Sequence, residues 1–282
     1  VSGLGELSSI KPKGKSPKKI ELFDKLKQLI SKGDENFDKG DYLEAEKAYR
    51  EALTQAELLN ENKLIASCCN LIGGSLGNQG KHEAGLVYFD RAVNLYPQNG
   101  FAWLNKAAAL VMLGRDDKAL FCIEKAMELG VEDAETWHLK GTILYNLRRY
   151  ELALESFNKA LELVPNSGIA RLNKGLTLFG LHGFEEAAKA FEQAYNFPQT
   201  IGDSKSRLYA GWSYALLFEA LEAQLSKDPE LVEYWADYWG DVKERAKEAG
   251  LVPVMEEIIT DFKTKLQEKE LQAFLKLEKK LR

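Results

Sequence analysis

Small and large apolar positions recur along this chain at an interval of 34 residues. One column consists of alanines: Ala92, Ala126, Ala160 and Ala194. A second column lies three residues earlier and holds large apolar side chains: Phe89, Ile123, Phe157 and Phe191. Further columns keep the same spacing: Ala119, Ala153 and Ala187; Trp103 and Trp137; Ala107, Gly141 and Gly175. Because several columns share one interval, the pattern indicates an internal structural repeat.

Each unit is predicted to be a helix, a short turn and a second helix. Small side chains recur where two helices approach closely, and large side chains recur where a helix fills the gap to its neighbour. Pro97 and Pro165 follow the second helix of their units, where a helix has to end. Alternation of β-branched residues is scarce, so extensive sheet is not expected. The sequence therefore predicts an all-α fold.

This pattern resembles the tetratricopeptide repeat family, whose units place Trp or Leu, Gly or Ala, Tyr, then Ala, Phe, Ala and Pro in order. One unit carries most of these residues: Trp137, Gly141, Leu144, Ala153, Phe157, Ala160 and Pro165. The resemblance implies an α-α superhelix, a solenoid of about five helix-turn-helix repeats. The units are expected at about 26–59, 66–99, 100–133, 134–167 and 168–201.

The 34-residue interval stops after residue 201, but helical pattern continues. Residues 204–226 predict a helix, and a second is expected between Asp228 and Gly250. A single last helix is predicted over about 253–281, with one apolar stripe. The predicted organisation is a disordered lysine-rich tail or linker over 1–20, the repeat array over 21–201, and a C-terminal helical extension or cap over 202–282.

Charge and cysteine content narrow the function. Residues 1–20 carry five lysines and one acidic residue, Glu6, which gives a local charge of +4. Because the formal net charge of the whole chain is −5, residues 21–282 carry a charge of −9. Nucleic acid is not expected as the main partner of such an acidic body. The three cysteines are expected to be small, reduced residues of the core, which is typical of a cytoplasmic protein. No apolar run approaches the roughly 18 residues of a membrane span.

The residues show no arrangement typical of catalysis or metal binding. His82, His138 and His182 are far apart and lack metal-ligand spacing. The glycines around Gly73 and Gly74 have no strand before them and no Gly-Lys-Ser/Thr after them, as a phosphate-binding loop requires. No serine or cysteine has an identifiable base and orienting partner. We therefore expect no enzyme activity, no cofactor and no metal.

The resemblance implies a peptide-binding groove lined mainly by the first helix of each unit. The candidate residues are Asn70, Phe101, Leu104, Asn105, Ala108, Met112, His138, Thr142, Tyr145, Asn146, Leu172, Asn173, Leu176 and Phe179. The asparagines are suited to bonding the main chain of an extended peptide, and the apolar residues to gripping a helix. Family members that hold acidic chaperone tails use basic clamp residues, where this chain has Ile30, Asp34, Phe101 and Asn105. Recognition of such tails is therefore not expected.

These features predict a protein–protein interaction scaffold or adaptor that binds a peptide or helix in the groove. The occupant is a segment of a partner protein or this chain's own helix 253–281. One alternative is a structural assembly protein that associates with itself as a homo-oligomer. Another is the regulatory or docking region of a longer enzyme whose catalytic domain is not in this chain.

Overall fold

The computed structural model describes residues 16–201 and 204–281, which form fourteen α-helices, one short 3-10 helix and no strand. This confirms the predicted all-α fold of the α-α superhelix class. The chain divides into two compact units, residues 1–143 and 144–282. None of the described helices combines the length and apolar character that crossing a membrane requires.

Successive helices of the first unit pack in pairs, as the predicted helix-turn-helix repeat requires. They are α1 (Pro17–Asp38), α2 (Tyr42–Leu59), α3 (Asn62–Asn78), α4 (His82–Leu95), α5 (Gly100–Met112), α6 (Asp116–Glu128) and the start of α7 (Ala134–Asn146). The strongest packing joins α1 to α2, α3 to α4, and α5 to α6.

The second unit continues with two more hairpin helices and then a group of longer ones. Its elements are the end of α7, α8 (Tyr150–Leu163), α9 (Gly168–Gly180), α10 (Phe184–Tyr195), a 3-10 turn (Pro198–Thr200), α11 (Lys205–Ser226), α12 (Pro229–Glu248), α13 (Val252–Lys265) and α14 (Glu268–Leu281). The last four helices share a core in which Trp212, Trp239, Phe262 and Phe274 are fully buried.

The repeated small residues lie against aromatic rings of the following helix. A Cβ atom added at Gly73 would lie 2.7 Å from Cε1 of Phe89, and one added at Gly175 would lie 2.6 Å from Cε1 of Phe191. In both hairpins the ring comes sixteen residues after the glycine. The spacing of the small and large columns therefore sets how closely the two helices of a hairpin approach.

The hairpin turns require a left-handed residue. Gly40, Gly80 and Gly114 have φ values of +79°, +76° and +66°. Arg148 and His182 take the equivalent places in the next two turns, with φ values of +58° and +62°. Glycine adopts this conformation without the steric cost that a Cβ atom brings.

The prediction of one helix over 253–281 was wrong, because the segment forms two helices. The backbone is extended at Leu266 (ψ +142°), and the N–H of Gln267 then donates to Oε2 of Glu270 over 2.9 Å as α14 begins. The break brings the rings of Phe262 and Phe274 to 5.0 Å between centroids. In a continuous helix, residues twelve apart would lie roughly 18 Å apart along the axis.

Residues 17–20, which the predicted organisation places in the lysine-rich tail or linker, are helical. Residues 1–15 lie outside the described residues, but Pro17–Ile20 form the first turn of α1. Proline is well tolerated there, since the first turn of a helix leaves its N–H groups without helical partners. The boundary of the first helix therefore lies at Ser16.

Candidate functional site

The first unit contains a cleft of about 300 Å³ built largely from the first helices of successive hairpins. α1, α3, α5 and the start of α7 line it, and α2 contributes one side chain. The lining residues are Asp34, Phe37, Asp38, Tyr49, Asn70, Leu71, Gly74, Asn78, Phe101, Leu104, Asn105, Asp133 and Glu135. Its volume lies at the lower end of the range typical of ligand pockets.

Two amide side chains from different helices meet in this cleft. Nδ2 of Asn105 on α5 donates to Oδ1 of Asn70 on α3 over 2.9 Å. Asn70 is buried, whereas Asn105 is partly exposed and keeps its own carbonyl oxygen and a second N–H outside that bond. This places an oriented donor and acceptor at the surface of the cleft, the two groups that an extended peptide main chain needs.

Apolar side chains and one open position complete the floor. Phe37, Leu71, Phe101 and Leu104 line the cleft from three helices. Gly74 lies among them, and a Cβ atom added there would have nothing within 4 Å. The space above Gly74 is therefore part of the cleft and is not needed for helix packing.

The hydroxyl of Tyr49 on α2 forms a hydrogen bond with an acidic residue of the cleft lining. It donates to Oδ1 of Asp34 over 2.7 Å. Burial raises the pKa of Tyr49 well above its usual range, and the hydrogen bond to Asp34 and the charges of Asp34 and Asp38 raise this pKa further. Because all these effects disfavour a second negative charge, Tyr49 stays a neutral hydrogen-bond donor.

The start of α7 contributes a further part of the lining. Oδ1 of Asp133 accepts from the N–H of Thr136 over 2.9 Å and from its hydroxyl over 2.8 Å, an N-terminal cap that fixes the carboxylate. Glu135, two residues further on, is exposed. The lining of the cleft thus includes carboxylates from α1 and from the start of α7.

The structure places only part of the predicted groove in the cleft. Asn70, Phe101, Leu104 and Asn105 line it, although Leu104 is largely buried. Two other predicted residues of α5, Ala108 and Met112, lie outside its lining. Met112 is 65% exposed and open to solvent.

The predicted residues of α7 lie along the rest of that helix. The hydroxyl of Thr142 donates to the main-chain oxygen of His138 over 3.0 Å. His138 is partly buried, and burial lowers the pKa of its imidazole. In the second unit, the ring of Tyr145 contacts that of Tyr150 at 5.6 Å between centroids, and Asn146 is exposed at the helix end.

The predicted residues of α9 lie in or against the core of the second unit. Leu172 is fully buried, and Leu176 and Phe179 pack against the same apolar cluster. The ring of Phe179 contacts that of Phe218 on α11 at 5.7 Å between centroids, so α11 covers this face. Asn173 is partly exposed beside them and its main-chain oxygen accepts from the hydroxyl of Thr177.

Sequence reasoning missed several residues of the cleft. Phe37, Asp38, Tyr49 and Asp133 line it but were not candidates, and Asp34 was considered only as a clamp position. Asp34 and Asp38 lie one turn apart on α1, a spacing that places two side chains on one helix face. That signal was available in the sequence. Tyr49 was not recoverable in this way, because it belongs to the second helix of its hairpin.

Reactive and metal-binding groups are scarce around the site. Cys68, Cys69 and Cys122 are buried thiols, and burial raises the pKa of Cys69 to about 11. Over residues 16–201 and 204–281, no group of three or more His, Cys, Asp or Glu side chains is placed to hold a metal ion. The features that the cleft does offer are amides, apolar contacts and negative charge.

Comparison with known proteins identifies the repeat. Family models described as tetratricopeptide repeat match residues 29–57, 66–99 and 134–167. An uncharacterised protein of Methanocaldococcus jannaschii is 47% identical over 47 residues, 17% of this chain and 55% of that protein. The chain therefore spans about half the length of that relative.

Solved structures share the fold at low sequence identity. PilF of Pseudomonas aeruginosa has a TM-score of 0.60 with 15% identity, covering 86% of this chain and 99% of its own. YrrB, described as a tetratricopeptide repeat protein with an unusual peptide-binding site, has a TM-score of 0.55 with 19% identity, covering 73% and 98%. MamA from Desulfovibrio magneticus has a TM-score of 0.54 with 21% identity, covering 64% and 98%.

Proposed function

Since this chain belongs to the tetratricopeptide repeat proteins, we propose that it is an adaptor that holds an extended segment of another protein in the cleft of its first unit. Proteins of this family are generally non-catalytic scaffolds for protein–protein interaction. The peptide-binding site named for YrrB supports a peptide as the kind of ligand. Fold likeness alone does not place the site, and the support for its position comes from the residues of the cleft.

The single observation that carries the proposal is the meeting of Asn105 and Asn70 beside the open space above Gly74. Asn105 is oriented by its bond to Asn70, so its remaining donor and acceptor point from a fixed position. An extended peptide offers one N–H and one carbonyl per residue and can satisfy both groups. Phe101 and Leu104 of the lining then supply apolar contact for a peptide side chain.

Filling the open space tests this proposal without disturbing the fold. A Gly74→Leu side chain enters the cleft, whereas a Gly77→Leu side chain lies on the same helix, also has nothing within 4 Å of its Cβ, and does not line the cleft. Both changes replace glycine by a good helix former, so both variants are expected to fold. The pair separates occupation of the cleft from any effect on α3.

The binding probe is a phage-displayed library of random dodecapeptides, selected on the full chain. The strongest sequence is then made with a fluorescein label and titrated by fluorescence anisotropy. We expect Gly77→Leu to bind like the wild type and Gly74→Leu to bind at least about tenfold more weakly, a loss of about 1.4 kcal/mol. Selection of no peptide, or equal binding by both variants, contradicts the proposal.

A further inference from the structure

The lining of the cleft is negatively charged and contains no basic side chain. Four carboxylates line it: Asp34, Asp38, Asp133 and Glu135. No lysine, arginine or histidine is among the lining residues. The rest of the lining is neutral, so a ligand in this cleft meets one sign of charge only.

Three of these four carboxylates take no part in the ion pairs of the part of the chain that the structure describes. Among the ion pairs formed by the described residues, none includes Asp38, Asp133 or Glu135. Elsewhere in the same unit, ion pairs do link neighbouring helices, as between Lys106 and Asp90 at 2.8 Å. Asp38, Asp133 and Glu135 are therefore without a cationic partner among the described residues and are available to a cationic ligand.

The geometry of the cleft strengthens its field. Low-dielectric walls concentrate the potential of charges that line a concave surface, and Phe37, Leu71 and Phe101 provide such walls. Burial is the largest cause of the raised pKa of Tyr49, and the charges of Asp34 and Asp38 raise this pKa further. The faces of the two phenylalanine rings are also favourable surfaces for a cation.

We propose that the peptide held in this cleft belongs to another protein and inserts a lysine or arginine side chain between the carboxylates of α1 and those at the start of α7. This inference rests on the proposed function, since it states which peptides the cleft selects. The cation lies near Asp38 and Glu135 at the exposed edge, while Asn105 bonds the peptide main chain.

The chain's own lysine-rich segment fits this role poorly. Asp34 lies eighteen residues beyond Ser16 along α1, a distance of roughly 27 Å. Lys11, Lys13 and Lys15 lie within five residues before Ser16, and five fully extended residues span at most roughly 18 Å. Five extended residues are therefore shorter than the distance from Ser16 to Asp34.

The test uses the peptides selected on the full chain, with charge-neutralising variants. The double variant Asp38→Asn with Glu135→Gln removes two exposed carboxylates of the cleft. Its control, Glu51→Gln with Glu124→Gln, removes two exposed carboxylates of α2 and α6 that do not line it. Both variants change the net charge equally, so a difference between them reports position. Asp34 and Asp133 are left intact because they hold Tyr49 and cap α7.

We expect selected sequences to contain more lysine and arginine than the unselected library. The best labelled peptide should bind the cleft variant about tenfold more weakly than the control variant, and replacing its cationic residue by methionine should weaken binding similarly. Wild-type binding should fall between about 0.1 M and about 1 M salt, as the Debye length shrinks from roughly 10 Å to roughly 3 Å, and fall less for the cleft variant.

The outcomes separate this inference from the proposed function. Peptides that lose binding in Gly74→Leu but carry no excess of cationic residues, or bind both charge variants equally, overturn the inference and leave the peptide site standing. If no selected peptide is sensitive to Gly74→Leu, the proposed function itself fails.

Two further measurements test whether the cationic side chain comes from another protein, from this chain or from a second copy of it. Replacing Lys11, Lys13 and Lys15 by glutamine should leave peptide affinity unchanged. A tenfold gain would show that the chain's own segment competes for the cleft, which would overturn the assignment to another protein. Self-association by light scattering that disappears in Gly74→Leu would do the same in favour of a second copy.

Discussion

The contact between Gly73 and Phe89 gives a quantitative test of how the repeat holds its hairpins together. The Cβ of a Gly73→Ala variant would lie 2.7 Å from Cε1 and 2.9 Å from Cδ1 and Cζ of the ring. The shortest distance is 0.7 Å below the 3.4 Å at which ordinary contact begins. Phe89 is buried, so its ring has little room to move away.

Two opposing contributions decide the free energy of unfolding of this variant. Overpacking a buried site costs about 1–3 kcal/mol, and replacing glycine by alanine in a helix gains about 1 kcal/mol. Gly77→Ala on the same helix has the gain without the clash, because nothing lies within 4 Å of its Cβ. We therefore expect Gly73→Ala to be about 1–3 kcal/mol less stable than Gly77→Ala.

Urea unfolding followed by far-ultraviolet circular dichroism measures this difference, provided that both variants unfold with the same dependence on urea. A Phe89→Leu change should reduce the penalty at Gly73 in a double-mutant cycle, since the shorter side chain relieves the clash. If Gly73→Ala proves as stable as Gly77→Ala, the small residue does not set the helix spacing, and the explanation of the repeated columns is wrong.

Three other perturbations follow from the same structure. Burial alone would raise the pKa of Glu46, but hydrogen bonds from Gln79 and Arg50 outweigh it and bring that pKa below the ordinary 4.5. The ionised carboxylate thus stabilises the fold above about pH 4.5, and this stabilisation is lost as pH falls through the lower pKa of the folded state. In Glu46→Gln, the urea midpoint should therefore depend less on pH below about 4.5 than it does in the wild type. Burial raises the pKa of Cys69 to about 11, so this thiol should react with Ellman's reagent near neutral pH only after unfolding; rapid reaction in the folded protein would contradict its buried position. Asp133→Ala should lower the free energy of unfolding by about 0.5–2 kcal/mol because it removes the cap of α7. Asp133→Asn should retain most of the stability, because an amide oxygen can also accept the cap hydrogen bond. Equal losses for both variants in urea unfolding would assign the effect to the charge of Asp133.

The fold was predictable where local sequence rules determine the packing. The repeated small residues predicted a close approach of the two helices of a hairpin, and Gly73 and Phe89, sixteen residues apart, make such a contact. The break at Leu266 was missed because the apolar positions on both sides suit one helical stripe. The reason for the break is tertiary, since it brings Phe262 and Phe274 together over the core of the second unit.

The site was predictable only in part, because it depends on which helices cover which faces. Asn70 and Asn105 were expected together and do bond across two helices. Leu172 and Phe179 occupy equivalent positions of a later unit, yet α11 packs there after the repeat interval has ended. No 34-residue pattern specifies where such a helix packs. Tyr49 likewise reaches the cleft from a helix that the repeat assigns to the other side.

The left-handed residues at the hairpin turns have a consequence for how the protein can change over evolution. Arg148 and His182 adopt a conformation that costs a residue with a Cβ atom about 1–2 kcal/mol, and glycine avoids this cost at the three earlier equivalent turns. Replacing either residue by glycine would therefore increase the stability of the protein. Both positions lie far along the sequence from the cleft residues of α1 and α3. A lineage that acquired glycine there would tolerate costlier substitutions among the ligand-contacting side chains, and its binding preference would be freer to diverge.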